Sequence, residues 1–178
     1  MMLLEMAADG FGDRVALGPS DGGLTYRELY DSAGVASERF RADGGSHVAM
    51  ADLSSAALPV SLFGAAWAGL PFVPLNYRLT DDELAALASR ISPAIIIVDP
   101  DFPDRLTGID GIGLLSRHGL MDLVDGAEPP EPEWDMSGEE TAIELFTSGT
   151  TGEPKAALLR HRHLVSYVLG SVEFMGAH

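Results

Sequence analysis

The sequence predicts an α/β fold, with helices layered on a mostly parallel sheet, and three observations carry that expectation. Short apolar runs at 47–51, 72–75 and 94–98 alternate with segments of helical spacing. The last run, Ala-Ile-Ile-Ile-Val, is apolar and almost wholly β-branched, as a parallel strand covered on both faces must be. Strand–helix–strand–helix–strand in that order builds a parallel sheet, because each helix returns the chain to start the next strand in the same direction.

The elements follow in turn. Thr25-Tyr-Arg-Glu28 is a capping box, in which the threonine hydroxyl and glutamate carboxylate take up N–H groups left free at a helix start. Leu29, Ala33, Ala36 and Phe40 then recur at helical spacing, and Gly44-Gly45 ends the helix. After the strand at 47–51, Ser54 or Ser55 is expected to cap a helix with Pro59 in its first turn and Gly69 past its end. Residues 56–75 carry no charge, but Pro59, Gly69, Pro71 and Pro74 interrupt them. They therefore read as a buried helix and strand, with Trp67 in the core, rather than as a membrane span. Thr80-Asp-Asp-Glu83 is a second capping box, its acids in the first turn where the helix dipole favours negative charge. Leu84, Leu87, Ala88 and Ile91 follow on one face.

Residues 100–139 break the alternation. Within them, the acidic, proline-rich run Gly-Ala-Glu-Pro-Pro-Glu-Pro-Glu-Trp at 126–134 reads as a solvated connection. The chain is accordingly divided into a first α/β lobe at 1–125, a connection at 126–140 and the start of a second lobe at 141–178. In the last part, 142–146 and 156–159 read as strands around a loop at 147–154, and 162–172 as helix.

Formal charge is −16, from 11 basic and 27 acidic side chains. Residues 141–178 are balanced, with Lys155, Arg160 and Arg162 against Glu144, Glu153 and Glu173, so the surplus lies before them. A surface this acidic repels phosphate backbones and argues against nucleic acid as a partner. A polyanionic ligand is expected only near the balanced segment. The absence of cysteine excludes disulfides and thiol catalysis. The opening Met-Met-Leu-Leu-Glu lacks the basic start and longer apolar core of a secretory signal, and a cytoplasmic location is expected.

The chemistry concentrates at 146–155, Phe-Thr-Ser-Gly-Thr-Thr-Gly-Glu-Pro-Lys. Gly149 and Gly152 let a backbone turn approach a ligand without Cβ clashes, and successive N–H groups in such a turn form an anion-binding concavity. Thr147, Ser148, Thr150 and Thr151 supply neutral donors, and Lys155 a mobile point charge. Every other basic residue among Lys and Arg is arginine, so the single lysine of the chain closes this loop. The pattern is not the P-loop of kinases and GTPases, which needs Gly-Lys-Ser/Thr opening a helix. Here Pro154 precedes the lysine and an apolar strand follows it. His161 and His163 have no third ligand near them in sequence, and no metal site is assigned to them.

The loop resembles the signature of the adenylate-forming (AMP-binding) superfamily, Tyr/Phe-Thr-Ser-Gly-Thr-Thr-Gly-x-Pro-Lys-Gly, matching throughout 146–155 with Glu153 at the free position. Leu-Thr-Tyr-Arg-Glu-Leu at 24–29, Pro-Phe-Val-Pro-Leu-Asn-Tyr-Arg-Leu-Thr-Asp-Asp-Glu-Leu at 71–84 and Arg-His-Arg-His-Leu at 160–164 are similar to further segments of that superfamily. The resemblance is strongest to the N-terminal part of acyl-CoA synthetases (fatty-acid–CoA ligases). It implies that Thr147, Ser148, Gly149, Thr150, Thr151, Gly152 and Lys155 hold the β- and γ-phosphates of ATP. It further implies an enzyme that uses ATP, Mg2+ and coenzyme A to turn a small carboxylic acid into acyl-AMP and then a thioester. Segments that hold adenine, ribose and magnesium in such enzymes have no counterpart in 1–178. No catalytic residue is therefore assigned, the segment alone is expected to be inactive, and uncovered apolar surface is expected to make it self-associate. Two alternatives stand beside this reading: a non-catalytic fragment or interaction lobe, and a peptide-synthetase-type adenylation domain. The family's glycine after the lysine is Ala156 here, which implies strain if that position needs a positive φ.

Overall fold

The computed structural model describes residues 1–99, 101, 103–134, 137–147 and 154–171. Among them, six strands form one sheet in the order β6-β5-β3-β4-β7-β8. These are β3 (His47–Ala51), β4 (Phe72–Pro74), β5 (Ala94–Val98), β6 (Ile112–Ser116), β7 (Thr141–Thr147) and β8 (Lys155–Arg160). The first five pair in parallel, and β8 turns back antiparallel along β7. A short ribbon, β1 (Val15–Leu17) with β2 (Leu24–Thr25), stands apart. The helices are α1 (Met2–Phe11), α2 (Tyr26–Ala42), α3 (Ala57–Ala68), α4 (Asp81–Arg90), α5 (Arg117–Val124) and α6 (His161–Ser171). The expected layered α/β architecture with a mostly parallel sheet is what forms.

Period-two alternation along the central strands divides the core. Val48, Met50, Phe72, Ile95 and Ile97 face a cluster built by α1, α2, α3 and α5. Ala49, Ala51, Val73, Ala94, Ile96 and Val98 face Leu84, Leu87 and Ala88 of α4 and Ile91 just past its end, with Leu106 beyond. All five residues of β5 are buried, so helices must cover both its faces. Each isoleucine so buried contributes roughly 1.5–3 kcal/mol of transfer free energy.

Both capping boxes form. Glu28 N–H donates to Thr25 Oγ1 at 3.2 Å and Thr25 N–H to Glu28 Oε2 at 2.8 Å. Thr80 and Glu83 repeat this at 3.4 and 2.9 Å. The Thr25 and Thr80 N–H groups hold both glutamate carboxyls below their ordinary range.

Three expectations need correction. Neither Ser54 nor Ser55 caps α3: Ala56 occupies that position in right-handed helical geometry, and no side chain bonds there. The backbone already turns one residue earlier, so the Leu58 and Val60 N–H groups find the carbonyls of Ser55 and Ala56. The 100–139 stretch contains a full strand and helix, β6 and α5, the latter capped by Ser116 accepting from Gly119 N–H at 2.9 Å. The acidic run at 126–134 keeps its glutamates exposed but docks rather than floats. Trp134 packs edge-on against Trp67, ring centroids 5.0 Å apart, and Arg41 donates to the Glu133 carbonyl at 3.2 Å.

That docking depends on Gly34 in α2. A Cβ there would lie 2.8 Å from Pro129 Cβ and 2.9 Å from Trp67 Cη2. Neither ring can yield as a flexible chain end would. Gly34→Ala gains about 1 kcal/mol of helix propensity, but overpacking costs about 1–3 kcal/mol. A net loss of stability is expected in urea unfolding, together with a shift in tryptophan emission as Trp134 is displaced.

Candidate functional site

The strands around the 147–154 loop pair with Phe146 opposite Ala156 and Thr147 opposite Lys155. Thr147 Oγ1 donates across the pair to the Lys155 carbonyl at 3.3 Å. Of the expected site residues, Thr147 and Lys155 are thus brought face to face at the mouth of the turn. Ser148, Gly149, Thr150, Thr151 and Gly152 lie outside the described residues. Lys155 is exposed and makes no ion pair among the described residues. Ala156 sits in a regular strand register, where extended backbone suits any residue, so the strain expected of alanine there does not arise.

Position in the sheet gives the turn its importance. Because β7 runs parallel to β4, its Thr147 end reaches the carboxyl edge of the parallel strands. Ligands of open α/β sheets bind outside that edge, where loops leave the strands with their polar groups free.

The same edge is polarised. After β3, β5 and β6 come Asp52, Asp99 and Arg117, and Arg117 Nη1 lies 2.6 Å from a carboxylate oxygen of each aspartate. The Asp52 side chain is 1% exposed, and its Oδ2 is buried without a hydrogen-bond partner. Two carboxylates on one guanidinium leave this part of the edge negative, which disfavours a polyanion. At the opposite, amino edge of the sheet, where Arg160 lies across from Thr141, Arg160 and Arg162 both pair with Glu139. The Lys155 ammonium, with no ion pair among the described residues, therefore adds positive charge beside the turn.

Sequence reasoning missed one contributor. Arg90, ending α4, places its guanidinium 4.9 Å from the Phe146 ring centroid and donates to the Pro154 carbonyl at 2.6 Å. It is separated from Pro154 by 64 residues, and no local pattern signals such a contact. His163 accepts from the Arg160 N–H through Nδ1 at 3.1 Å, a local role at the start of α6. Among the described residues, no group of three His, Asp or Glu side chains is placed to hold a metal ion.

Comparison with known proteins decides the family. The model of the family described as AMP-binding enzyme matches residues 4–177. The chain belongs to that family. It is 33% identical over 181 residues to the mitochondrial malonate–CoA ligase ACSF3 of Mus musculus, covering 91% of this chain and 30% of the relative. It is 30% identical over 179 residues to the N-(5-amino-5-carboxypentanoyl)-L-cysteinyl-D-valine synthase of Amycolatopsis lactamdurans, covering 98% of this chain and 5% of that one. Among solved structures, ATP-bound MatB from Rhodopseudomonas palustris superposes with a TM-score of 0.76 at 29% identity, over 94% of this chain and 36% of MatB. The chain thus spans about a third of the CoA ligases it resembles and a small part of the peptide synthetases. No helix among the described residues is long and apolar enough to cross a membrane.

The acidic clasp yields a test of its own. Asp99 is held below the ordinary carboxylate range, first by the Asp101 N–H and then by Arg117. A depressed carboxyl stabilises the fold above its unfolded value near pH 4 and loses that contribution as pH falls through the lowered one. Arg117→Met strands the buried Asp52 carboxylate. Because Arg117 is itself partly exposed, a loss of about 2–4 kcal/mol at pH 7 is expected. The Asp99 part of the gap should narrow as pH falls through its lowered value, since protonation there removes one of the two charges Arg117 serves. Urea unfolding of both proteins at pH 7 and at successive values below pH 4 reads this directly.

Proposed function

We propose that residues 1–178 form the phosphate-gripping part of an ATP-dependent enzyme that activates a carboxylic acid as its acyl-AMP and passes the acyl group to a thiol. The observation that carries this reading is Thr147 facing Lys155 at the mouth of a turn on the carboxyl edge, a hydroxyl beside a cation that has no ion pair among the described residues. That is the donor set a polyphosphate needs, and family membership and likeness to an ATP-bound relative support it. Thr147, Lys155 and the intervening Ser148, Gly149, Thr150, Thr151 and Gly152 are assigned to the β- and γ-phosphates.

In the reaction, a substrate carboxylate oxygen bonds to the α-phosphorus of ATP while the bond to the β-phosphate oxygen breaks. The electron pair leaves with pyrophosphate, where negative charge builds up. A fixed cation beside the departing phosphates lowers that barrier without reorganising. Magnesium would neutralise further phosphate charge, but the described residues offer no set of ligands for it, and no step is routed through it. Coenzyme A is preferred as the thiol over a carrier protein, because Pro-Leu-Asn-Tyr-Arg-Leu-Thr at 74–80 lacks the Asp-Pro-x-Tyr-Pro run usual in peptide-synthetase adenylation domains. Peptide synthetases among the relatives keep the carrier-protein reading as the competitor.

Lys155→Met tests the assignment in the longest natural chain that carries these residues. A charge-assisted hydrogen bond to phosphate contributes about 1.5–3 kcal/mol. At about 1.4 kcal/mol per tenfold, kcat/KM for ATP should fall roughly 10- to 150-fold in ATP–pyrophosphate exchange. Thioester formation from preformed acyl-AMP should suffer less, since no pyrophosphate remains to be held. Parental exchange with unchanged ATP dependence would remove Lys155 from the site.

A further inference from the structure

We propose that Arg90 is a positioning residue for the turn between β7 and β8, setting how well that turn grips the polyphosphate of a nucleoside triphosphate. The inference rests on the reading of 147–155 given above. It starts from a geometric fact: one guanidinium holds both stems of the turn. Phe146, under the Arg90 guanidinium at 4.9 Å, immediately precedes Thr147. Pro154, whose carbonyl accepts from Arg90 Nη1 at 2.6 Å, immediately precedes Lys155.

Pro154 lies one residue outside the last register pair and has no N–H to offer the ladder. Its ring fixes φ, which leaves ψ as the soft angle at this residue. The Pro154 carbonyl and the Lys155 N–H belong to one peptide plane. A donor that pins the carbonyl therefore fixes ψ and, with it, the direction in which Lys155 enters β8 and sends out its ammonium. Phe146 on the opposite stem is held by the same planar cation, so the two stems keep a set separation.

Arg90 acts from a rigid base. Its helix is fixed at one end by the Thr80–Glu83 capping box and along its length by Leu84, Leu87 and Ala88 in the core. Stacking on a ring while donating in a defined direction suits a planar guanidinium, which an ammonium cannot reproduce. A simpler role competes: Arg90 lies in the last turn of α4, where any cation complements the helix dipole. That role predicts lost thermal stability, full rescue by lysine and no change in ATP dependence.

The experiment separates these outcomes. ATP–pyrophosphate exchange is measured for Arg90→Met, Arg90→Lys and Lys155→Met in the longest natural chain carrying residues 1–178, varying ATP and acid independently. Arg90→Met should raise KM for ATP about 3- to 10-fold, only part of what an exposed cation–π contact and one charged hydrogen bond contribute, because Arg90 positions the turn and is not itself placed on the phosphates. KM for the acid should stay at the parental value. Arg90→Lys should restore the melting temperature but only part of the ATP effect. Arg90→Met combined with Lys155→Met should raise KM by less than the product of the two. If Lys155→Met impairs exchange while Arg90→Met leaves KM for ATP unchanged, the proposal fails and the phosphate reading stands. If neither substitution alters ATP dependence, both fail together. Should Arg90→Met not fold, Arg90→Lys decides alone, and a parental KM for ATP overturns the proposal.

Discussion

A strand without a polar side chain has to be covered on both faces, and Ala94–Val98 imposes that condition on the fold around it. Meeting it takes helices on both sides of the sheet. Meeting it with parallel neighbours takes crossover connections that alternate between the two faces. Once β3 and β6 flank β5, every connection leaves from the same edge, and the polar groups of the chain gather there because the interior has no place for them. The acidic clasp and the β7–β8 turn are the two ends of that one edge.

The clasp and the turn differ in how their charge is balanced. Arg117 is shared between two aspartates, whereas Lys155 is shared with nothing among the described residues. For a chain of net charge −16, the distinction matters more than the number of cations. Six of the basic side chains answer acids, and at the β7–β8 turn Lys155 and Arg90 stand together without an acid partner among the described residues, which favours an anion there. The balanced composition of 141–178 conceals this, because Glu139 just outside the segment takes up both Arg160 and Arg162.

What could be read in advance was local in sequence. Thr25 and Glu28, or Thr80 and Glu83, meet because three residues of helix bring them together. The isoleucines at 95–97 advertise a buried strand through their own branching. The hydroxyl–glycine–lysine loop carries its chemistry in adjacent positions, although the structure describes only its two ends. What escaped was set by approach across the fold. β6 is interrupted by Gly113 and has too little apolar contrast to stand out, and α5 is only eight residues long. Arg117 meets Asp52 across 65 residues, and Arg90 meets Pro154 across 64. Ser54 and Ser55 carry the right side chains for a cap, but the backbone had already begun to turn and left them no orphan donor to satisfy. The run at 126–134 has the composition of a free tether, yet its prolines and tryptophan supply the apolar surface that ties it to α2 and α3.

The chain contains two tryptophans, and both belong to one aromatic cluster. Tyr30 completes it at 4.9 Å from Trp67 and 6.3 Å from Trp134. Tryptophan emission from residues 1–178 consequently has a single vantage point, at the seam where the proline-rich strap meets α2 and α3. Such a signal follows the seating of that strap and the integrity of one face of the sheet. Neither tryptophan stands at the turn at 147–155, so a titration aimed at that turn needs a label placed on the far edge or a readout other than tryptophan light.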